Sequence, residues 1–419
     1  MTDAALPSER SPLYWWTSAT PHARKALIAG GAGWMLDGMD VMLYALALTT
    51  VKADFNLTGT QSGLIASVTL LASAFGGMAF GVVADRIGRV RALSISILIY
   101  SVCTALCATS RSLEALIFWR LLVGIGMGGE WAAGSVLIAE TWDPKQRGRA
   151  IGVMQSGWAL GYILAAVLAA AIIPTWGWRP LFVVGAAPAL VVLWIRRSVP
   201  EPQVWLESSG KRLGFGETVS VLAQPPYRSR VFTACLLTTS LMCAFWGLFT
   251  WIPGFLAMPP EKGGAGIEFV QSTAWIVSIQ IGAFLGYFSF GFLAERFGRR
   301  TIFVVFTVGA AVFTPIFGLS SGNKWLLFAV GPIIGYFGHG FFSVFGALLA
   351  ELFPARVRAT AQGLCYNFGR GVSAIAPTAI GALSENFGLG IALAFLGLLF
   401  LAGAIIFFFL PNTQGEELE

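Results

Sequence analysis

Asp37, Asp40, Arg120, Glu130, His339 and Arg370 all stand inside long apolar runs, where an ionisable side chain is costly and therefore marks function. Asp37 and Asp40 are three residues apart, which on a helix puts both carboxylates on one face about a turn apart. Two carboxylates that close do not both ionise cheaply, so one keeps its proton near neutral pH. That is the property of a proton carrier. The competing reading is that they cap a helix kinked around Gly38.

Arg120 and Glu130 are ten residues apart, about 15 Å along a helix and roughly 80° around it, so they do not pair directly. Glu130 serves either as a second proton site or in a buried structural pair. The glycines before it, Gly124, Gly126, Gly128 and Gly129, let a neighbouring helix come close. They follow no strand, which rules out a dinucleotide loop. Tyr366, Asn367 and Arg370 share one helical stripe. The second half holds no carboxylate within an apolar run, because Glu295, Glu351 and Glu385 lie at run ends. Arg370 is therefore matched either by an anionic cargo gripped bidentately or by a salt bridge to a carboxylate of the first half. His339, between Gly338 and Gly340, is either a relay or a packed hydrogen-bonding group.

These residues are positioned by apolar runs of membrane-spanning length, about 20 residues each. The runs cover 26–50, 60–84, 91–110, 113–139, 148–173, 179–197, 229–257, 268–293, 301–320, 324–350, 358–383 and 388–410. With 56% hydrophobic and only 11% charged residues, the chain cannot cover itself with polar groups, and lipid is its main solvent. The expected class is an all-α membrane protein. Its divisions are an N-terminal segment at 1–25, six helices over 26–197, a polar linker at 198–228, six more helices over 229–410 and a tail at 411–419. Most of the 27 Lys and Arg residues fall on the side of the termini and linker, which predicts that side to be cytoplasmic. No secretory signal is expected in the first 25 residues, and no continuous basic face suggests nucleic acid. Cys103, Cys107, Cys235, Cys243 and Cys365 all lie in apolar runs and are read as packing residues. No metal or cofactor is implied, and a monomer is expected.

GVVADRIGRVR at Gly81–Arg91 returns as GFLAERFGRR at Gly291–Arg300, so the chain is two homologous halves. Together with RLLVGIGMGGEW, ETWDPKQRGR and ELFPARVRA, this turn resembles the major facilitator superfamily over the whole chain. Within it, WMLDGMDVMLYALAL, GGEW and WGWRPLFVVGAAPALVVLWIRRSVPEP are similar to the sialate:proton symporters and lactate permeases. The DGMD stretch also resembles aromatic-acid:proton symporters. The resemblance implies two pseudo-symmetric six-helix bundles in a bacterial-type inner membrane, with no enzymatic activity. It places Tyr44, Gln155, Trp246 and Gln280 on helices that line a central cavity, where they join Arg120, His339, Tyr366, Asn367 and Arg370 as candidates for cargo contact. It also implies a cytoplasmic gate built from Asp85, Arg86, Arg89, Glu140 and Arg149 with Glu295, Arg296, Glu351 and Arg356.

The sequence leaves no room for the extra hairpin of sialate transporters proper, which favours a smaller cargo. The expected function is import of a lactate- or pyruvate-like monocarboxylate with protons; aromatic-acid or sialate symport is the alternative. A proton-driven exporter is a further alternative, although GVMQSGWALGYILAAVL lacks the glycine-proline signature of antiporters. A sensor that binds a solute without moving it would use the same pocket, and flux separates the two.

Overall fold

The computed structural model describes residues 14–57, 59–143, 145–207, 215–354 and 357–411. Twelve long helices organise the chain, and among the described residues there is no strand. The first six are α1 Pro21–Asp54, α2 Gly59–Ile87, α3 Arg89–Cys107, α4 Leu113–Thr141, α5 Arg147–Trp176 and α6, which joins Trp178–Val184 to Pro188–Ser198. The second six are α7 (Tyr227–Phe249 and Ile252–Ala257), α8 Phe269–Phe297, α9 Arg299–Leu319, α10 (Lys324–Gly340 and Ser343–Glu351), α11 (Arg358–Ser373 and Ala376–Phe387) and α12 (Leu389–Ala394 and Leu396–Phe407). In water, backbone exposed by a helix break is solvated; in lipid it must be satisfied internally, so only short breaks survive. Eleven of the helices are long and apolar enough to cross a membrane. The exception is α11, which is interrupted at Ala374–Ile375 and carries Arg358, Gln362, Asn367 and Arg370 along its first part.

The helix α1 is longer than its apolar run: Pro21 starts it behind an N-cap at Thr20, whose hydroxyl accepts from Ala23 N at 3.1 Å, and it continues to Asp54. Asp37 and Asp40 thus sit mid-helix and fully buried, away from any helix end. The turns α2–α3 and α8–α9 are single glycines, Gly88 (φ 114°) and Gly298 (φ 87°), in a backbone region where a Cβ would clash. They are equivalent positions of the repeat, so the two bundles reverse direction by the same device. Within the first bundle α4 packs on α2 and α3, and α5 on α1; within the second α10 packs on α8 and α9, and α7 on α11. The bundles meet along α2 with α11 and α5 with α8.

The linker is pinned to this frame. The Glu201 carboxylate accepts from the backbone N–H of Arg89 (2.7 Å), Val90 (3.1 Å) and Arg91 (3.2 Å), the unpaired donors at the start of α3, where negative charge is favoured. Trp205 Nε1 donates to Asp85 O at 3.1 Å from the same strip of linker. Glu201→Ala is expected to lower stability by about 1–2 kcal/mol, the cost of a lost charged cap, with Glu201→Gln in between. Thermal unfolding of the purified protein reads this, and an unchanged midpoint for Glu201→Ala would show the cap to be idle.

On the opposite face Arg179 donates to Asp54 (2.7 Å) and to Ser110 O (3.2 Å), tying α6 to α1 and the α3–α4 turn. The Arg179 and Trp178 hydrogen bonds hold the Asp54 carboxyl below the usual carboxylate range. All five cysteines are free, and Cys103, Cys107 and Cys365 are buried.

Candidate transport site

The intramembrane charges converge from three helices. Asp37 on α1 and Glu130 on α4 lie within electrostatic reach of each other and of Arg370 on α11. The Glu130 carboxylate lies against Gly33, one turn before Asp37 on α1, where any side chain would collide with it. Neither Asp37, Asp40 nor Glu130 forms an ion pair within 4 Å, and all their carboxylate oxygens lack a hydrogen-bond partner. Buried charges left this way are a functional signature, since hydrogen bonding normally satisfies such groups. Tyr100 of α3 stands among the three carboxylates with its hydroxyl also unpaired. Spacing along the chain does not point to it.

Asp40 faces away from this centre, toward Gly185 of α6 and Thr104 of α3. Arg120 lies on its other side: its Nε donates to Thr69 Oγ1 (3.2 Å), its guanidinium covers the Tyr44 ring at 4.9 Å, and its Nη1 is unpaired. Arg120 and Tyr44 therefore belong to the interior of the first bundle.

Between the bundles is a tight pocket lined by Trp34, Gln155, Trp158, Phe245, Trp246, Tyr287, Phe342, Tyr366 and Arg370. Its walls are aromatic: Trp34 lies 4.9 Å from Trp158, and Trp158 meets Trp246 edge-on at 6.1 Å across the bundles. Its unpaired buried polar atoms are Trp34 Nε1, Trp158 Nε1, Arg370 Nε and Arg370 Nη1. All four are donors, and an anion is what accepts from such a set.

Several candidate residues lie elsewhere. Asn367 packs its amide on Gly77 of α2 and donates to Gly363 O (3.0 Å), at the bundle interface. His339 is behind the aromatic wall, with Phe249 at 4.0 Å and Phe245 at 4.9 Å, and its Nδ1 is 3.2 Å from Gly335 O. Gln280 is buried on α8 outside the lining. Only Gln155, Trp246, Tyr366 and Arg370 of the cargo candidates reach the cavity.

On the face of the linker, paired charges close the interface. Arg89 grips Glu140 (3.0 and 3.1 Å) and Asp85 (2.8 Å), and its repeat mate Arg299 grips Glu351 (2.5 and 3.1 Å). Arg147 and Arg358, also repeat mates, each donate to a carbonyl of their own bundle, Ala139 O and Ala350 O. Each then reaches across at 3.9 Å, Arg147 to Glu351 and Arg358 to Glu140. One equivalence is broken. Arg149 pairs with Glu295, whereas the corresponding contact is Thr360, whose N–H (3.1 Å) and hydroxyl (2.8 Å) donate to Asp85. Arg86 and Arg296 are exposed, the latter over the Phe297 ring, and Arg299 and Arg358 occupy the interface in their stead. Arg356 lies outside the described residues.

Two pseudo-symmetric six-helix bundles around a central cavity, with buried charge at its edge and a charged seam at one face, are the architecture of a multi-pass membrane transporter. The chain belongs to the Major Facilitator Superfamily, which it matches over residues 31–265 and 262–419. It is 33% identical over 387 residues to a cis,cis-muconate transport protein of Acinetobacter baylyi, covering 91% of this chain and 92% of the relative. It is 31% identical over 393 residues to the sialic acid transporter NanX of Escherichia coli, covering 94% and 95%. The solved proton:xylose symporter XylE superposes with a TM-score of 0.79 at 18% identity, covering 95% of this chain and 98% of that one, and so shares the fold.

Proposed function

We propose that the protein imports a planar, unsaturated organic carboxylate, of the aromatic-acid kind, together with protons. The observation that carries this reading is the cavity itself: an aromatic slot whose unpaired polar atoms are donors centred on Arg370. A ring or conjugated chain stacks between such walls, and its carboxylate takes the guanidinium fork. A lactate-like anion offers no π face to the aromatic wall, and a polyhydroxylated sugar acid brings more hydroxyls than the few polar atoms of this wall can pair. The muconate relative supports an unsaturated acid over the lactate-like cargo that the helix count favours. Asp37 and Glu130, adjacent to Arg370, are the proton sites in this reading. The seam of Arg89, Arg149 and Arg358 with Glu140 and Glu295 is the closed cytoplasmic gate.

In proteoliposomes, an inward proton gradient is expected to drive uptake of radiolabelled benzoate, and a protonophore to collapse it. Benzoate should outpace lactate and sialate by at least about tenfold, the discrimination an apolar pocket achieves on shape. Stimulation by sodium alone would overturn the coupling, and preferred uptake of lactate would overturn the cargo class.

A further inference from the structure

We infer that the indole N–H groups of Trp34 and Trp158 form a second binding point in the pocket, and that they read a neutral hydrogen-bond acceptor on the cargo. That acceptor is a ring nitrogen or a carbonyl oxygen carried away from the carboxylate. The inference rests on the carboxylate reading of this site.

An indole N–H taken out of water ordinarily finds an acceptor, because leaving it dry forfeits the bond it makes to water. Five tryptophans of this chain follow that rule. Trp131 donates to Gln155 Oε1 (3.1 Å), Trp142 to Ala23 O (2.9 Å), Trp178 to Asp54 (3.0 Å), Trp205 to Asp85 O (3.1 Å) and Trp251 to Pro377 O (2.8 Å). Trp34 and Trp158 line the pocket, are each 3% exposed, and have no acceptor among the described residues. Trp275 is unpaired too, but it stands in the second turn of α8, outside the lining.

The two pocket indoles are not free to turn elsewhere. Their rings lie 4.9 Å apart, and Trp158 is pressed against Gly38, where a Cβ would come within 3.1 Å of its ring. The helices behind them are equally close: a Cβ at Gly157 or Gly161 would run into the carbonyl oxygen of Gly31 or Met35. Gln155, one turn from Trp158 on α5, is already committed to Trp131 and, through Nε2, to Phe342 O (3.3 Å).

Arg370 belongs to the other bundle. The indoles are on α1 and α5, which pack on one another, whereas Arg370 is on α11, packed on α2 and α7. Counted from the linker-face ends of their helices at 1.5 Å per residue, Trp158, Arg370 and Trp34 all lie roughly 16–20 Å deep. A cargo that puts its carboxylate on Arg370 therefore crosses the pocket at nearly constant depth and meets the indoles with its far end. The charge of that end follows. Among the described residues Arg370 is the only cation of the lining, so a second carboxylate would be buried without a counter-charge, and Asp37 is one helical turn from Trp34. A neutral acceptor takes the N–H bonds without that cost.

The test compares four acids of one shape, benzoate and the three pyridinecarboxylates, in which a ring nitrogen replaces one C–H. At neutral pH that nitrogen is an unprotonated acceptor. Calorimetry on the purified protein is expected to show nicotinate or isonicotinate, whose nitrogen is away from the carboxylate, binding about tenfold tighter than benzoate, or about 1.4 kcal/mol. Picolinate, whose nitrogen adjoins the carboxylate, should match benzoate. Trp34→Phe and Trp158→Phe each keep a ring and lose the donor. The affinity ratio of the better pyridine acid to benzoate should fall in at least one of them and reach one in the double variant, whatever the absolute affinities. In the unsubstituted protein carrying isotope-labelled tryptophan, an indole N–H signal should move further downfield in NMR with that acid than with benzoate. Benzoate binding as tightly as all three pyridine acids would sink the second binding point and leave the carboxylate reading standing. An advantage that survives the double variant, or that picolinate shares, would also overturn it. If none of the four acids gives binding heat, the carboxylate reading falls and takes this inference with it.

Discussion

Arg370→Ala is expected to weaken carboxylate binding by at least about 2 kcal/mol, roughly thirtyfold in Kd, and to abolish measurable uptake. The guanidinium is buried on α11, its Nε and Nη1 have no hydrogen-bond partner, and among the described residues it is the only charged group lining the cavity. Two donors held in one plane match the two oxygens of a carboxylate; an ammonium at the same place keeps the charge and loses the fork. Arg370→Lys should therefore restore little of the affinity. Calorimetry on the purified, correctly inserted variant measures this directly. An affinity near that of the unsubstituted protein in Arg370→Ala would remove Arg370 from cargo binding and leave it as a counter-charge to Asp37 and Glu130.

The second large effect is expected at Asp37. It is the carboxylate within reach of Arg370, Glu130 and Asp40 alike, so its charge state is felt by the cargo cation and by both other acids. Asp37→Asn removes the exchangeable proton and the anion that competes with cargo for Arg370. Proton-driven accumulation should vanish, while exchange of internal for external benzoate at equal pH should stay of the same order, because exchange never returns an empty carrier. Counterflow and gradient-driven uptake in one preparation separate the two. Equal loss of both would assign Asp37 to binding or folding. Asp40→Asn is expected to have the smaller effect on coupling, since Asp40 faces Thr104, Gly185 and Arg120 inside the first bundle.

Most of the architecture is legible in the sequence because it depends on properties local to each segment. Apolar length decides that a segment spans, and charge placement decides which turns lie together. The repeat decides that Gly88 and Gly298, or Arg89 and Arg299, have the same job, and that Asp85 and Glu295 take equivalent places. The same offset that relates Gly81 to Gly291, shifted by one, also relates Arg147 to Arg358 and Arg149 to Thr360. These residues of the charged seam carry a sequence signal even though family resemblance alone directs attention to Arg296 and Arg356. The presence of intramembrane charge at Asp37, Asp40, Glu130 and Arg370 is equally a local fact, because each is read against its own apolar flanks.

What each charge faces is decided by the rotation and crossing of helices, and no spacing along one helix contains that. Tyr366, Asn367 and Arg370 share a stripe, yet Tyr366 and Arg370 reach the cavity while Asn367 lands on Gly77 of α2. Asp37 and Asp40 share a face by spacing, yet the close approach of α4 at Gly33 brings Glu130 to Asp37, and the break in α6 at Gly185 receives Asp40. Trp34, Trp158, Phe342 and Trp131 look like ordinary apolar residues in the sequence. The first three become a cavity wall, and Trp131 a stacking partner of Tyr366, only where two bundles meet. Composition and periodicity determined that this chain spans a membrane as two related halves with charge inside. The docking of α11 on α2 and α4, set by side-chain packing between residues more than 200 positions apart, decided which of those charges can meet a cargo.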